Sequence, residues 1–548
     1  MVKLGNKLVC AALLSSYCFN NQEAFSQNKS RSEDLPNVLC IVCEDISPYL
    51  GCYGDVNART PNLDRLAESS VRYTNMHTTV GVSSPSRFAL ITGMYPSSCG
   101  ANFMRTMGNS EKYMPEGIRP YEVVTPPEVK CYSEFMRRAG YYCVNGPKTD
   151  YQFKAPESAW DECGGDGVHW KNRPEGKPFF AIFNLGVTHE SQLWERADKP
   201  LAVNPDSLSV PEYLPDTPTV RRDLAIMYSN IYEMDCQVGS LIEEVKEAGL
   251  LDNTIIIWYS DNGGPIPRGK REIYISGTRV PFMLRYPDGY RAGDVEDRLC
   301  MFVDIPATIM SLVGLKPPKY MHGKPFAGKF EKKERKVVYA ARDRMDACTD
   351  KQAAVFDGRY HLIHNYMPEK PDFLDNEYQN NLPTIGEMKR LYSEGKLKPA
   401  QAKWFTSPRP DIELYDILSD PYELENLAGQ EKYADIQARL DKEYRKWMRK
   451  YNSAWFIPEI ESFRSFYPDG IQRTTANPEI EVRKHFVKIS SATEGASIVY
   501  RIKGVEKGKC PETWHLYSGP LHLPDGSILE AKAVRIGFRD SETVSKEI

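Results

Sequence analysis

Neither sign of charge dominates this 548-residue chain: 70 Lys and Arg stand against 74 Asp and Glu, a formal net charge of −4. That balance leaves no basic surface on which nucleic acid would bind, so no nucleic-acid partner is expected. The cysteines do not form a regular set either. Of 13, Cys10 and Cys18 lie in the first 26 residues, and the remaining 11 are an odd number at irregular spacings, which argues against a disulfide framework. Cys40 and Cys43 make a C-x-x-C, yet inside "VLCIVC" a strand turns positions i and i+3 to opposite faces, and no second pair completes a zinc site. Buried thiols are expected. Long hydrophobic runs are missing beyond the N-terminus, since "TIIIWY" and "PFFAIF" are strand-length, and no membrane span is expected.

The first 26 residues read as an export signal: Lys3 and Lys7, an apolar stretch from Leu8 to Phe19, then Ala24-Phe25-Ser26 as a small-x-small cleavage site. The mature chain is therefore expected outside the cytoplasm, periplasmic or secreted in a bacterium. Its length exceeds what one hydrophobic core usually serves and predicts more than one domain.

From Asn37 to Leu312, strand-like and helix-like stretches alternate, which predicts an α/β domain with a largely parallel sheet. "NVLCIVC", "KPFFAIFNLG" and "NTIIIWYS" are continuous apolar runs suited to strands covered on both faces. Thr60-Pro61 predicts a helix start, with Thr60 as cap. Apolar residues recur at helical spacing from Asp223 to Ala248, and Gly249 ends them.

Polar clusters follow the strands: Glu44-Asp45, His189-Glu190, and Asp261-Asn262-Gly263-Gly264. In open α/β sheets ligands bind beyond the carboxyl ends of the strands, so these clusters can converge. Each alone also reads as a turn, a cap or a loop histidine. Together they supply hard oxygen donors, the set that calcium or magnesium prefers over zinc. "VSSPSRFALITG", residues 82 to 93, adds Ser83 beside Arg87 but offers no base to activate the hydroxyl. The planar fork of Arg87 suits a tetrahedral oxyanion such as sulfate or phosphate.

Ser83, Pro85, Ser86, Arg87, Thr92 and Gly93 together resemble the sulfatase signature. "PNVLCIVCED", "TPNLDRLA", "YSDNGG", "VDIPATIMSLVGL" and "ELYDILSDPYELENLAG" are similar to sulfatase segments in the same order, from about Pro36 to about Ala454. Stretches around Pro215 to Tyr274 and "YHLIHN" are most similar to heparan N-sulfatases. The resemblance implies an alkaline-phosphatase-like α/β sandwich: a central mostly parallel sheet, a smaller antiparallel C-terminal subdomain and an appended small β domain. The expected division is 1–26 signal, 27–330 catalytic domain, 331–455 C-terminal subdomain, 456–477 linker and 478–548 a β-sandwich resembling the C-terminal domain of chitobiase-like β-hexosaminidases.

The resemblance also implies that Ser83 is oxidised to Cα-formylglycine, whose hydrate is the nucleophile, by a serine-type sulfatase-maturating enzyme. Calcium would be held by Glu44, Asp45, Asp261, Asn262 and the residue at Ser83. Arg87 would support the hydrate, Lys148 and Lys270 would bind sulfate, and His189 would contact sulfate or donate a proton to the leaving group. Two positions depart from the family pattern: Glu44 stands where most members have Asp, and Asp150 where a histidine is usual. Asp150 is expected to orient Lys148 or bind sugar. Arg342 and Arg344 read equally as a salt-bridged loop or as contacts to substrate anions. The expected partner is a sulfated oligosaccharide or polysaccharide, with N-sulfoglucosamine of heparan fragments placed first and a glycan O-sulfate second. A phosphate or phosphonate ester hydrolase, and a non-catalytic sulfated-glycan binding protein, stand as alternatives from other classes.

Overall fold

The computed structural model describes residues 35–452, 454–503 and 513–548. The expected export signal, Cys10, Cys18 and Cys510 lie outside them. The apolar runs form the strands of a nine-stranded sheet: β1 (Asn37–Cys43), β2 (Val71–His77), β3 (Tyr142–Gly146), β4 (Glu162–Cys163), β5 (Phe179–Leu185), β6 (Thr254–Ser260), β7 (Arg279–Arg285), β8 (Val295–Glu296) and β9 (Cys300–Met301). Their order is β4-β3-β5-β1-β6-β7-β2-β8, with β9 also paired to β2. From β4 to β6 every pairing is parallel, while β7 runs antiparallel to both neighbours.

Both faces of this sheet are covered, which is why its central strands are apolar without alternation. Cys40 packs on one side with Val38, Val42 and Ile257, whereas Cys43 packs on the other with Leu39, Ile41 and Trp258. Both thiols are buried and unpaired. The helix Pro218–Glu247 begins five residues before the predicted start, because Thr217 accepts a hydrogen bond from the Val220 N–H and Pro218 opens the first turn. The helix Pro61–Glu68 starts where expected, but the Thr60 side chain does not cap it. Its hydroxyl is occupied elsewhere, donating to Asp64 Oδ1 at 3.2 Å and accepting from Gly51 N at 3.0 Å.

A second, antiparallel sheet follows in the order Val338–Arg342, Gln352–Phe356, Tyr360–Asn365 and Ile412–Asp416. Ala353, Val355, Leu362 and Leu414 join the same core as Val38 and Val42 of the large sheet, so the two sheets share one apolar interior. The final residues make a separate sandwich. Three strands (Glu479–Arg483, Phe486–Ser490, Leu521–His522) face four (His515–Leu516, Ser497–Lys503, Ile528–Val534, Val544–Glu547) across Val487, Ile489, Ile498, Leu529, Ala531 and Ala533. Among the described residues, no helix is long and apolar enough to cross a membrane.

Arg342 and Arg344 are not substrate contacts in this fold. Each is 2% exposed. Arg342 donates to Glu272 Oε2 and Gln352 Oε1, both at 2.8 Å, and Arg344 forms a two-pronged pair with Glu459 at 2.6 Å on each prong. Both guanidinium groups are withdrawn from solvent, Arg342 between the two sheets' loops and Arg344 under Glu459 and the Met104 carbonyl, so the salt-bridged reading is the one this fold shows. A buried ion pair is most costly when one partner is removed. Arg344→Ala is expected to cost about 3–5 kcal/mol of stability. Arg344→Met combined with Glu459→Leu is expected to cost clearly less, and thermal denaturation of the two variants checks the order.

Candidate active site

Because β3, β5, β1 and β6 are parallel neighbours, their carboxyl ends lie along one edge, and the residues that follow them meet there. Glu44 and Asp45 follow β1, Asp261 and Asn262 follow β6, Lys148 and Asp150 follow β3, and His189 and Glu190 follow β5. Ser83 enters from elsewhere as the first residue of the wholly buried helix Ser83–Thr92. Val82 occupies the cap position, so no side chain satisfies the first-turn N–H groups, and the positive end of the helix is turned to the site.

Direct contacts tie the elements together. Ser83 Oγ donates to Asn262 Oδ1 at 3.0 Å, and Asn262 Nδ2 donates to Asp45 Oδ1 at 2.8 Å. Asp45 adopts a left-handed φ of 52°, held by its own N–H on Asp261 Oδ1 (3.2 Å) and by the Glu190 N–H on its Oδ2 (2.7 Å). Arg87 donates through Nε to Asp261 Oδ2 at 2.8 Å and through Nη1 to Asn184 Oδ1 at 2.6 Å. Its Nη2 is buried without a hydrogen-bond partner, 3.8 Å from Glu44 Oε1.

Lys270 and Arg271 arrive on a loop that folds back tightly on itself. A side chain on Gly269 would put its first carbon 2.2 Å from the Gly264 carbonyl oxygen, so the close approach requires glycine there. Lys270 Nζ lies 2.8 Å from Asp45 Oδ2 and 3.1 Å from Glu190 Oε1, and Arg271 grips Glu190 with both prongs at 2.7 Å. Lys148 Nζ donates to Glu44 Oε2 at 2.8 Å, and His189 Nε2 stands 3.8 Å from the same oxygen. Lys148 and His189 keep 22% and 21% of their side-chain surface exposed, while Glu44, Asp261 and Lys270 keep 6% or less. The open side of the site is therefore the Lys148–His189 side.

Five carboxylates (Glu44, Asp45, Asp150, Glu190, Asp261) face five cations (Arg87, Arg105, Lys148, Lys270, Arg271) in this arrangement. Burial pushes the Glu44 carboxyl above its ordinary range, with Lys148 opposing. Burial acts the other way on His189, lowering its imidazole to about 2 with help from Lys270, so the ring is neutral near pH 7. Burial alone would raise Glu190 and lower Lys270. Their partners win: Arg271 and Lys270 pull Glu190 below the carboxylate range, and Asp45 and Glu190 raise Lys270.

The donor set suits a hard divalent cation. Glu44, Asp45, Asp261 and Asn262 present carboxylate and amide oxygens with no sulfur among them. Asp45, His189 and Glu190 also bring one ligand atom each within 4.8 Å of one another. A dication at the oxygens would leave the cluster positive, as an anionic substrate requires. The unpartnered Arg87 Nη2 is a buried donor with room for an oxygen.

Every sequence-predicted site residue except Arg342 and Arg344 is gathered here. Asp150 does not chiefly orient Lys148, whose Nζ is 3.9 Å away; it takes both prongs of Arg105 at 3.0 Å. Asn184, Arg271 and Arg105 lie outside the residues that the sequence pattern marks, and Glu190 belongs to a marked cluster without an assigned role. Asn184 carried a signal, a lone amide in the buried run "FFAIFNLG", whereas Arg105 carried none.

The profile described as "Sulfatase" matches residues 36–315. The chain belongs to the sulfatase family. A second profile, "N-sulphoglucosamine sulphohydrolase, C-terminal", matches residues 268–407 of this sulfatase. An "Ulvan-active sulfatase" of Formosa agariphila is 41% identical to it, covering 93% of this chain and 91% of that protein. Human N-sulphoglucosamine sulphohydrolase is 25% identical, covering 81% and 94%. Among solved structures, a Bacteroides thetaiotaomicron protein described in connection with the metabolism of multiple glycosaminoglycans shares the fold, with a TM-score of 0.57 at 19% identity over 78% of this chain and 99% of that one. The expected alkaline-phosphatase-like sulfatase architecture is thus the observed one, and the enzyme is a sulfuric ester hydrolase of this family.

Burial alone would raise Asp150, but Arg105 and Lys148 more than offset it and hold the carboxyl down at about 2, against an ordinary 3.8. A depressed folded-state value contributes stability that is complete above the unfolded value and lost as pH falls through the folded one. The Arg105–Asp150 pair is accordingly expected to stabilise the fold above about pH 4 and to lose that contribution between about pH 4 and pH 2. Arg105→Met should shift acid unfolding to higher pH, read by fluorescence in a pH titration.

Proposed function

We propose that this sulfatase hydrolyses O-sulfate esters of a sulfated polysaccharide of the ulvan type, with formylglycine made from Ser83 and calcium held by Glu44, Asp45, Asp261 and Asn262. The carrying observation is the 41% identity to the ulvan-active sulfatase across nine-tenths of both chains. From the sequence alone N-sulfoglucosamine came first; the weight of similarity reverses that order. The N-sulfo reading stays second, supported by the match at residues 268–407 and by the human relative. Export, read from Lys3 to Ser26, supplies a site where such a polysaccharide is met.

Formylglycine and the cation, when bound, supply an activated hydroxyl nucleophile and charge stabilisation for a sulfate oxygen. The chain's own groups do the positioning. Ser83 is held on Asn262 at the positive end of its helix, a place that favours anions. Arg87 is locked in place by Asp261 and Asn184, which leaves Nη2 as a fixed donor. Lys148, on the open side, can exchange Glu44 for a sulfate oxygen. Lys270 has two acceptors on its ammonium and one N–H remaining. His189 is neutral in the free site, so a proton for the leaving oxygen must be taken up as negative charge arrives beside the ring.

In protein from its native host, the Ser83 peptide should weigh one H2 less than its serine form. That protein should release sulfate from ulvan oligosaccharides and not from an N-sulfated heparin disaccharide; the reverse pattern would put the N-sulfo reading first. No release from either by formylglycine-bearing protein would sink both. Ser83→Ala should abolish release, and His189→Ala should lower kcat by about 10²–10⁴-fold. Calcium should raise the melting temperature of the wild type and leave that of Asp261→Ala unmoved.

A further inference from the structure

A second cleft, of about 520 Å³, lies on the outer flank of the loop that carries Lys148 and Asp150. Pro147 and Thr149 of that loop form one wall, Trp160 and Asp161 line it further, and Trp514 of the C-terminal sandwich closes it from the other side. Its size falls within the roughly 300–1,000 Å³ of ligand sites, which favour domain junctions. Resting on the proposed glycan-directed activity, we infer that this cleft is a distal subsite for sugar rings that continue the chain from the residue being desulfated, and that Trp514 is its stacking platform.

Four observations carry this. The sandwich is docked firmly: Ser497 donates to Glu134 at 2.7 Å, Lys532 pairs with Glu157 at 2.8 Å, and Arg137 donates to the Trp514 carbonyl at 3.0 Å. The docking is also close, since a side chain on Gly495 would start 2.2 Å from the Pro127 carbonyl oxygen. Trp514 is seated on Arg501 and Lys532, at 4.7 and 5.0 Å from the ring centre. Pairing of Val499 with Lys532 and of Arg501 with Glu530 puts both cations on one face of one sheet, so a single support holds the indole.

Trp160, which also lines the cleft, is 4% exposed and stacks on Phe180 in the core of the large domain. Two of the carboxylates around the cleft are paired, Asp161 with Arg137 and Glu157 with Lys532, while Lys154 stays largely exposed 3.6 Å from Asp540. The indole of Trp514 gives the cleft a stacking surface for a sugar ring. Recognition of sulfate then belongs to the site beyond Lys148, and chain length is read here.

The test uses the full-length mature protein carrying Ser83→Ala, so that binding is measured without turnover. Calorimetry with ulvan and heparin disaccharides and hexasaccharides is compared with and without Trp514→Ala. The hexasaccharide should bind more tightly than the disaccharide, and Trp514→Ala should weaken the hexasaccharide about five- to tenfold with the disaccharide unchanged. Trp514→Phe should restore most of the loss, which separates lost stacking from a misfolded sandwich. Equal affinities for both lengths, or equal losses for both, overturns the subsite. Length-dependent binding through Trp514 in a protein that releases no sulfate would overturn the catalytic reading alone; sulfate release without length dependence would overturn the subsite alone.

Discussion

Buried negative charge is the constraint around which this molecule is arranged. Glu44, Asp45 and Asp261 stand at the ends of adjacent parallel strands, each at most 5% exposed, and carboxylates so close cannot stay ionised out of water without compensation. Compensation comes from every direction: Arg87 from the helix of Ser83, Lys148 from the loop after β3, Lys270 from the loop after β6. A set of oxygens suited to a hard cation is thus kept from repelling itself apart by the same cations that suit an anionic substrate.

The antiparallel sheet belongs to this arrangement although it sends no side chain into the centre. It anchors the loop that carries Lys270 and Arg271. Glu272, next in sequence, is held by Arg342 and by the Trp404 indole N–H at 3.0 Å, and the Ile275 N–H donates to Glu423 at 2.7 Å. Arg342, read as a candidate for substrate, therefore acts at a distance, by fixing the backbone next to Lys270 and Arg271. The C-terminal sandwich and the loop of Lys148 share the walls of one cleft.

The two departures from the family pattern find places in the geometry. Glu44 is one methylene longer than aspartate, and the extra reach brings Oε2 to Lys148 while Oε1 stays beside Arg87. Asp150 adds a negative charge at the rim, and Arg105 neutralises it with both prongs. A histidine there would leave Arg105 without this partner.

The parallel sheet, the strand-end clusters and the Ser83 segment were legible because each depends on local pattern: apolar runs long enough for buried strands, polar residues directly after them, a signature whose residues are contiguous. The sequence by itself determined the fold class, the reaction family and ten of the groups now seen around the centre: Glu44, Asp45, Ser83, Arg87, Lys148, Asp150, His189, Asp261, Asn262 and Lys270. Tertiary structure alone decided what surrounds them. Asn184 on Arg87, Arg271 on Glu190, Arg105 on Asp150 and the withdrawal of Arg342 and Arg344 into salt bridges join residues 45 to 115 positions apart. Charge pairing across such separations leaves no periodic trace in a chain, because the partner is set by which loops the sheet brings to one edge and not by spacing along the backbone.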